Sequence, residues 1–189
     1  MSGNPLADAA AEVQQACDER DWRFCFIGGL AVVRWGEPRL TRDVDLTLIT
    51  GYGEEASYVD ALLERFPGRL DETRAFALDN RVLLLRATNG IPIDAALGAL
   101  PFEERAVQRA SSFRLADQEL TVCSAEDLIV HKVFAGRPHD WADVEGVIAR
   151  QGSGLAAQVI LEELGPLLDA SGHSERLRRL EAVLATRGS

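Results

Sequence analysis

Apolar and acidic residues alternate along a short stretch in the first third of the chain. Val44, Leu46 and Leu48 are apolar, and Asp43 and Asp45 stand before and between them. This period of two is typical of a β-strand with one buried face, because successive side chains of a strand point to opposite sides. The two carboxylates therefore share the other face, about 6.6 Å apart along the strand, and can converge on divalent cations.

A third acidic position follows from a predicted hairpin. The apolar runs 82–86 and 91–95 are separated by Ala-Thr-Asn-Gly at residues 87–90, and Asn-Gly is a strong turn signal between strands. Because Ile93 faces the core in this arrangement, Asp94 looks out from the opposite face. We therefore expect this third carboxylate, on a neighbouring strand, to complete a cation-binding site with Asp43 and Asp45.

Helical periodicity, caps and breaks predict the remaining elements. Asn4 before Pro5 is typical of an N-cap followed by proline at the first helical position. The pattern predicts an α/β (α+β) fold, in which a small mixed sheet is flanked by helices. Residues 1–110 are expected to form an α/β core, and residues 111–189 a mainly helical carboxy-terminal region packed on it. Further strands are predicted at 23–27, 113–115 and 120–122, and helices at 5–18, 30–35, 54–66, 101–109, 125–135, 140–150, 155–168 and 174–186.

Composition is that of an ordinary globular protein and narrows the range of functions. The chain has 189 residues, of which 47% are hydrophobic and 26% charged, so it is long enough to bury a core. The formal net charge of −10 argues against a broad basic surface that binds nucleic acid. Any such contact is expected to be local, and Arg34, Arg39 and Arg42 form the one evident cluster. That cluster is either a binding surface or a solvated loop.

Redox and targeting features point to a cytoplasmic protein. Cys17, Cys25 and Cys123 lack Cys-x-x-Cys spacing, which argues against a disulfide framework and against a zinc site. The sequence has no basic segment followed by an apolar core at its start, and no run of about 18 apolar residues. We therefore expect no membrane contact.

The glycine pair and the acidic pair are informative when taken together. An apolar residue, Gly28 and Gly29 are followed by thirteen residues and then by Asp43-Val44-Asp45-Leu46. This spacing resembles the signature of the DNA polymerase β-like nucleotidyltransferase superfamily, in particular its small, minimal members. Within it the chain is most similar to AbiEii-type and related bacterial nucleotidyltransferases associated with toxin–antitoxin and phage-defence systems. The resemblance spans about residues 24–148 and rests on segments 27–32, 39–46 and 125–132, with Arg137, Asp140 and Asp143.

The resemblance and the chemistry of phosphoryl transfer give each part of the motif a role. Asp43, Asp45 and Asp94 would supply the oxygen ligands that two Mg²⁺ ions prefer, with Mn²⁺ as an alternative. Asp94 could also accept the proton of the attacking hydroxyl. Gly28 and Gly29 would let backbone amides approach the triphosphate of an NTP at the start of a helix. The second glycine position is often serine in the superfamily, so here backbone amides would bind phosphate without a hydroxyl from that position.

Two cations are further candidates for binding the nucleotide. Arg42 adjoins the acidic pair, and Lys132 lies within a predicted helix, where it would either reach a phosphate or be a surface lysine with its charged end in solvent. Asp140 and Asp143 share one face of the next helix. They either orient Lys132 or Arg137, or favour the start of their helix as acids near its amino terminus.

These features predict a metal-dependent nucleotidyltransferase that transfers a nucleoside monophosphate from an NTP to an acceptor hydroxyl. The resemblance implies RNA, such as tRNA, or a protein side chain as the acceptor, and a cognate toxin or antitoxin protein as a partner. Two alternatives stay open. One is an aminoglycoside-type small molecule as acceptor, which suits an acidic protein. The other is a non-catalytic nucleotide-binding interaction module, against which the retention of all three acids argues.

Overall fold

The protein forms two compact units, one built around a β-sheet and one helical. The computed structural model describes residues 3–186. The sheet unit comprises the residues up to Leu30 together with Leu40–Cys123, and the helical unit comprises Ala31–Arg39 together with the residues from Ser124 onward. The predicted α/β class, a small mixed sheet flanked by helices, is confirmed. The division of the chain into a core of 1–110 and a helical region of 111–189 stays a prediction.

The sheet has both parallel and antiparallel pairs and the strand order β3-β4-β2-β1-β6-β5. At its centre β2 runs parallel to β4 and antiparallel to β1. The two hairpins β3–β4 and β5–β6 are antiparallel and lie at the two edges, and β6 joins β1 in parallel. The strands are β1 Phe24–Phe26, β2 Val44–Ile49, β3 Val82–Arg86, β4 Pro92–Gly98, β5 Ser111–Leu115 and β6 Gln118–Val122.

The helices largely follow the predicted order along the chain. The first begins as its sequence indicates, since the side chain of Asn4 accepts hydrogen bonds from the amides of Leu6 and Ala7 at 3.1 and 3.3 Å. The helices are α1 Pro5–Asp18, α2 Gly28–Trp35, α3 Glu55–Leu63, α4 Thr73–Asn80, α5 Pro101–Arg109, α6 Ala125–Ala135, α7 Pro138–Gln151, α8 Ala157–Ser171 and α9 Glu175–Ala185. Of these, α4 is absent from the sequence prediction.

The core of the sheet unit lies on the faces of β2, β3 and β4 opposite to the acids. Leu46, Leu48, Leu83, Leu85 and Ile93 are each 0% exposed, and burial of each such side chain stabilises the fold by about 1.5–3 kcal/mol. Helix α1 contacts β2 and β6. The acid-bearing strands therefore have their positions fixed by apolar packing on one side, while the acidic side chains remain partly accessible on the other.

The helical unit is a bundle centred on α6, which contacts α7, α8 and α9. Helix α6 is capped at its start, because Ser124 Oγ accepts a hydrogen bond from the amide of Asp127 at 3.1 Å. Leu128, Val144, Ile160 and Leu164 are fully buried within the bundle. In the part of the chain that the structure describes, no helix has the length and apolar character needed to span a bilayer.

Candidate active site

The register of the central strands places two of the predicted acids side by side. Asp45 on β2 is the Cα partner of Asp94 on β4 in the parallel pairing. Directly paired residues on adjacent strands lie about 4.8 Å apart and point to the same face of the sheet. Asp43 immediately precedes β2 and is exposed. Asp45 and Asp94 therefore lie on neighbouring strands and on the same face of the sheet.

Burial and nearby charges shift the pKa of the Asp94 carboxyl in opposite directions. Burial raises the pKa of its carboxyl, the guanidinium of Arg69 lowers it, and the negative charge of Asp43 raises it, with a net upward shift. Arg69 Nη2 donates a hydrogen bond to Asp94 Oδ1.

Arg69 is a site residue that sequence reasoning missed. It reaches Asp94 because the segment before α4 pairs with the edge of the sheet: the Arg69 amide donates to Leu84 O at 3.0 Å, and the Arg86 amide donates to Pro67 O at 3.0 Å. Leu84 is itself the Cα partner of Asp94. The arginine thus lies next to the third acid in space, although 25 positions separate them in sequence.

Each glycine of the Gly-Gly turn makes room for a side chain from the acidic segment. Gly28 has a φ of +56°, and a Cβ added there would lie 2.0 Å from Asp45 Oδ2. A Cβ added at Gly29 would lie 2.3 Å from Thr41 Oγ1. The first glycine is therefore required both by its backbone conformation and by the neighbouring carboxylate, and the second by the threonine.

The turn also brings the start of α2 next to the acids. The Ile27 amide donates to Asp45 O at 3.0 Å, which ties the residue before the turn to β2. Helix α2 then begins at Gly28. The first amides of a helix lack intrahelical acceptors and carry the positive end of the helix dipole, so they favour an anion. A phosphate group bound there would lie beside Asp45.

The donor set suits a hard divalent cation that is shared with a substrate. Asp43, Asp45 and Asp94 offer carboxylate oxygens, the ligands that Mg²⁺ and Mn²⁺ take. Within residues 3–186, no three His, Cys, Asp or Glu side chains are grouped closely enough to hold a metal ion by themselves. Mg²⁺ is commonly bound by one or two carboxylates together with substrate phosphates and water. The residues therefore fit a cation site that substrate phosphates help to complete. They do not fit a site in which the protein supplies every ligand.

Lys132, the single lysine of the chain, lies in a buried ionic network of the helical unit. Its Nζ is 3.0 Å from Asp140 Oδ1 and 2.8 Å from Asp143 Oδ2, and its side chain is only 8% exposed. Arg39 also binds Asp143, with Nε and Nη2 at 2.9 and 3.1 Å from its two oxygens. Lys132 is thus not a solvated surface lysine. Its predicted contact with phosphate stays a prediction, as does that of the exposed Arg42.

Asp140 takes both of the roles that the sequence left open. It binds Lys132, and its Oδ2 accepts hydrogen bonds from the Arg137 amide at 3.1 Å and from Arg137 Nε at 2.7 Å, at the start of α7. Burial alone would raise the pKa values of Asp140 and Asp143. Hydrogen bonds from Arg137 and Lys132 to Asp140, and from Arg39 and Lys132 to Asp143, outweigh burial and lower both pKa values.

We expect the change Lys132→Met to destabilise the protein by about 3 kcal/mol, because it removes the buried ammonium that binds both carboxylates and leaves each of them with only a more exposed arginine as counter-ion. Urea unfolding followed by tryptophan fluorescence measures the loss. Arg74→Met is the matched control: Arg74 and Asp60 form an ion pair in which both side chains are 52% exposed, and its loss costs at most about 1 kcal/mol. Equal losses in the two variants would contradict a structural role for the network. A phosphate contact would in addition raise the apparent KM for NTP at unchanged kcat.

The comparison with known proteins gives both the class and the family. The chain matches the model of the nucleotidyl transferase AbiEii toxin family, a type IV toxin–antitoxin system, over residues 15–183. It therefore belongs to the AbiEii nucleotidyltransferase family. This confirms the resemblance drawn from the glycine and acidic motifs.

Solved structures give the same fold at low sequence identity. An antigenic nucleotidyltransferase-like protein from Paracoccidioides brasiliensis is 16% identical, with a TM-score of 0.56, and the match covers 98% of this chain and 94% of that one. The antibiotic-resistance factor ANT(2'')-Ia is 18% identical, also with a TM-score of 0.56, and the match covers 92% of this chain and 96% of that one. At these identities the likeness shows the fold. No curated protein matches the chain.

Proposed function

We propose that this protein uses an NTP and a divalent cation to transfer a nucleoside monophosphate to an acceptor hydroxyl, with release of pyrophosphate. The observation that carries the proposal is the pairing of Asp45 with Asp94 on adjacent strands, next to the start of α2. Asp43, Asp45 and Asp94 bind Mg²⁺, or Mn²⁺ in its place. Gly28 and Gly29 form the first turn of α2, whose backbone amides bind the triphosphate, and Arg42 and Lys132 are further candidates for contact with it.

The reaction needs few groups from the protein. The acceptor oxygen forms a bond to the α-phosphorus while the bond from that phosphorus to the bridging oxygen breaks, and pyrophosphate leaves. Divalent cations held by the carboxylates would stabilise the charge on the attacking and leaving oxygens. Asp94 accepts the proton of the attacking hydroxyl, because a carboxylate beside a bound cation is well placed to act as a general base.

RNA, and tRNA in particular, is the acceptor that we favour, with a protein side chain as the next choice. Membership of a toxin family supports a target whose modification stops growth. It also supports a cognate antitoxin as partner and action in the cytoplasm. An aminoglycoside-type antibiotic is the alternative acceptor. The likeness to ANT(2'')-Ia in fold and the net charge of −10 favour it, but neither points to a pocket for a cationic drug.

A label-transfer experiment tests the proposal. The wild-type protein is incubated with each of the four α-³²P-labelled NTPs, Mg²⁺ or Mn²⁺, and one acceptor at a time: tRNA, a cell lysate depleted of RNA, or an aminoglycoside. We expect label on tRNA, with transfer abolished by EDTA. Label on the aminoglycoside alone would replace the favoured acceptor by the alternative one. Absence of transfer to every acceptor, together with absence of metal-dependent NTP binding, would leave only a non-catalytic role.

A further inference from the structure

The side chain of Thr41 occupies the space that a side chain at position 29 would need. A Cβ built on Gly29 would lie 2.3 Å from Thr41 Oγ1 and 2.5 Å from Thr41 Cγ2. The first turn of α2 therefore carries no side chain of its own at that position, and the acidic segment brings one in. Thr41 precedes Asp43 by two residues, so its hydroxyl reaches the helix start from the same segment as the acids.

This hydroxyl lacks a hydrogen-bond partner. Thr41 Oγ1 is buried, and within residues 3–186 no group lies in hydrogen-bonding geometry with it. Buried polar groups in native proteins are nearly always hydrogen-bonded, so each exception calls for an explanation. A ligand that completes the hydrogen bond is one such explanation.

Thr47 also has a buried hydroxyl without a hydrogen-bond partner among the described residues, but it does not adjoin the start of α2. Thr47, however, is 0% exposed within β2 and packs beside Gly98. Thr41 is only partly buried and adjoins the helix start, where backbone amides favour an anion. Rotation of Thr41 about its Cα–Cβ bond, from one staggered position to another, changes the direction of its hydroxyl relative to the start of α2.

We propose that Thr41 donates its hydroxyl to a phosphate oxygen of the NTP at the amino terminus of α2, in place of a side chain from position 29. The inference rests on the proposed function, which supplies the NTP. It adds a side-chain donor to the backbone amides that the sequence analysis expects to bind phosphate there. A hydroxyl that donates to an anionic oxygen forms a charge-assisted hydrogen bond, which is stronger than a neutral one.

The change Thr41→Val tests this role, because valine keeps the shape of the side chain and removes only the hydroxyl. The probes are non-hydrolysable α,β-methylene NTPs with Mn²⁺, titrated by calorimetry. We expect about tenfold weaker binding or more, the range for a hydrogen bond to a charged group. We also expect a thermal midpoint that is unchanged or higher, since the buried hydroxyl without a partner is gone. Thr41→Ser keeps the hydroxyl and should bind like the wild type.

Thr47→Val is the matched control, because it makes the same chemical change at the other buried threonine without a partner. We expect it to leave the affinity for the methylene NTPs unchanged. Wild-type affinity in Thr41→Val would overturn the inference while leaving the proposed function intact. Equal weakening in both valine variants would also overturn it, since the effect would then be a general one on the sheet. Absence of binding by the wild type would overturn both proposals.

Discussion

The change Asp45→Asn will reduce nucleotidyl transfer by more than about 100-fold in kcat/KM while leaving the fold intact. Asparagine has almost the same shape, so the side chain still fits against Gly28. It lacks the negative charge and one of the two oxygens that a divalent cation would use. Groups that only support metal ligands already cost 10–100-fold when changed, so loss of a ligand is expected to exceed that range.

Transfer of ³²P label measures the loss of activity in Asp45→Asn, and binding of Mn²⁺ independently measures the loss of affinity for the cation. Asp43→Asn is expected to have the same effect on both. Asp60→Asn serves as control, since it alters an exposed carboxylate whose pair with Arg74 is on the surface of the molecule. If Asp45→Asn and Asp43→Asn both kept full activity, the site would have been placed wrongly.

Local patterns predicted most of the fold because they depend on neighbours in the sequence. The cap at Asn4 fixes α1 at the predicted bounds, and the alternation from Asp43 onward gives β2 almost residue by residue. The Asn-Gly turn correctly separates β3 from β4. In each of these cases the local signal and the tertiary packing favour the same structure, which is the condition under which pattern reasoning succeeds.

The elements that were missed depend on contacts distant in sequence. Helix α4 has only two buried residues, Thr73 and Ala77, so its eight residues carry little amphipathic pattern. The residue that follows and caps it, Arg81, has a φ of +55°, a conformation for which glycine is the usual residue. Such a short helix is stabilised by its contacts with α3 and β3 and not by its own propensity.

The sequence predicts where the candidate acids and glycines lie in the fold, but not which side chains surround them. Asp45 and Asp94 follow from strand periodicity and a hairpin, both of which are local. Arg69 depends on pairing of its segment with the edge of β3, and no spacing in the sequence indicates that pairing. Thr41 lies within the motif segment 39–46, but its closeness to Gly29 depends on the packing of that segment against the start of α2, which the sequence does not indicate.

The change Gly28→Ala is expected to damage both stability and transfer. Alanine in the left-handed conformation costs about 1–2 kcal/mol. Its Cβ would also lie 2.0 Å from Asp45 Oδ2, a distance at which the carboxylate has to move. We therefore expect a loss of more than about 2 kcal/mol in the free energy of unfolding, and at least about tenfold slower transfer, because the displaced carboxylate no longer holds the position set by the strand register.

Gly172→Ala separates the two causes of that loss. Gly172 ends α8 with a φ of +74°, and a Cβ there would meet nothing within 4 Å. This variant therefore bears the cost of the backbone conformation alone, about 1–2 kcal/mol, and should transfer label at the wild-type rate. The difference between the two variants in urea unfolding is then the cost of crowding Asp45. If both lost the same stability and Gly28→Ala transferred label normally, the close approach of glycine to the carboxylate would have no part in the site. If Gly28→Ala alone lost transfer, the first glycine would be needed to position a metal ligand as well as to form the turn.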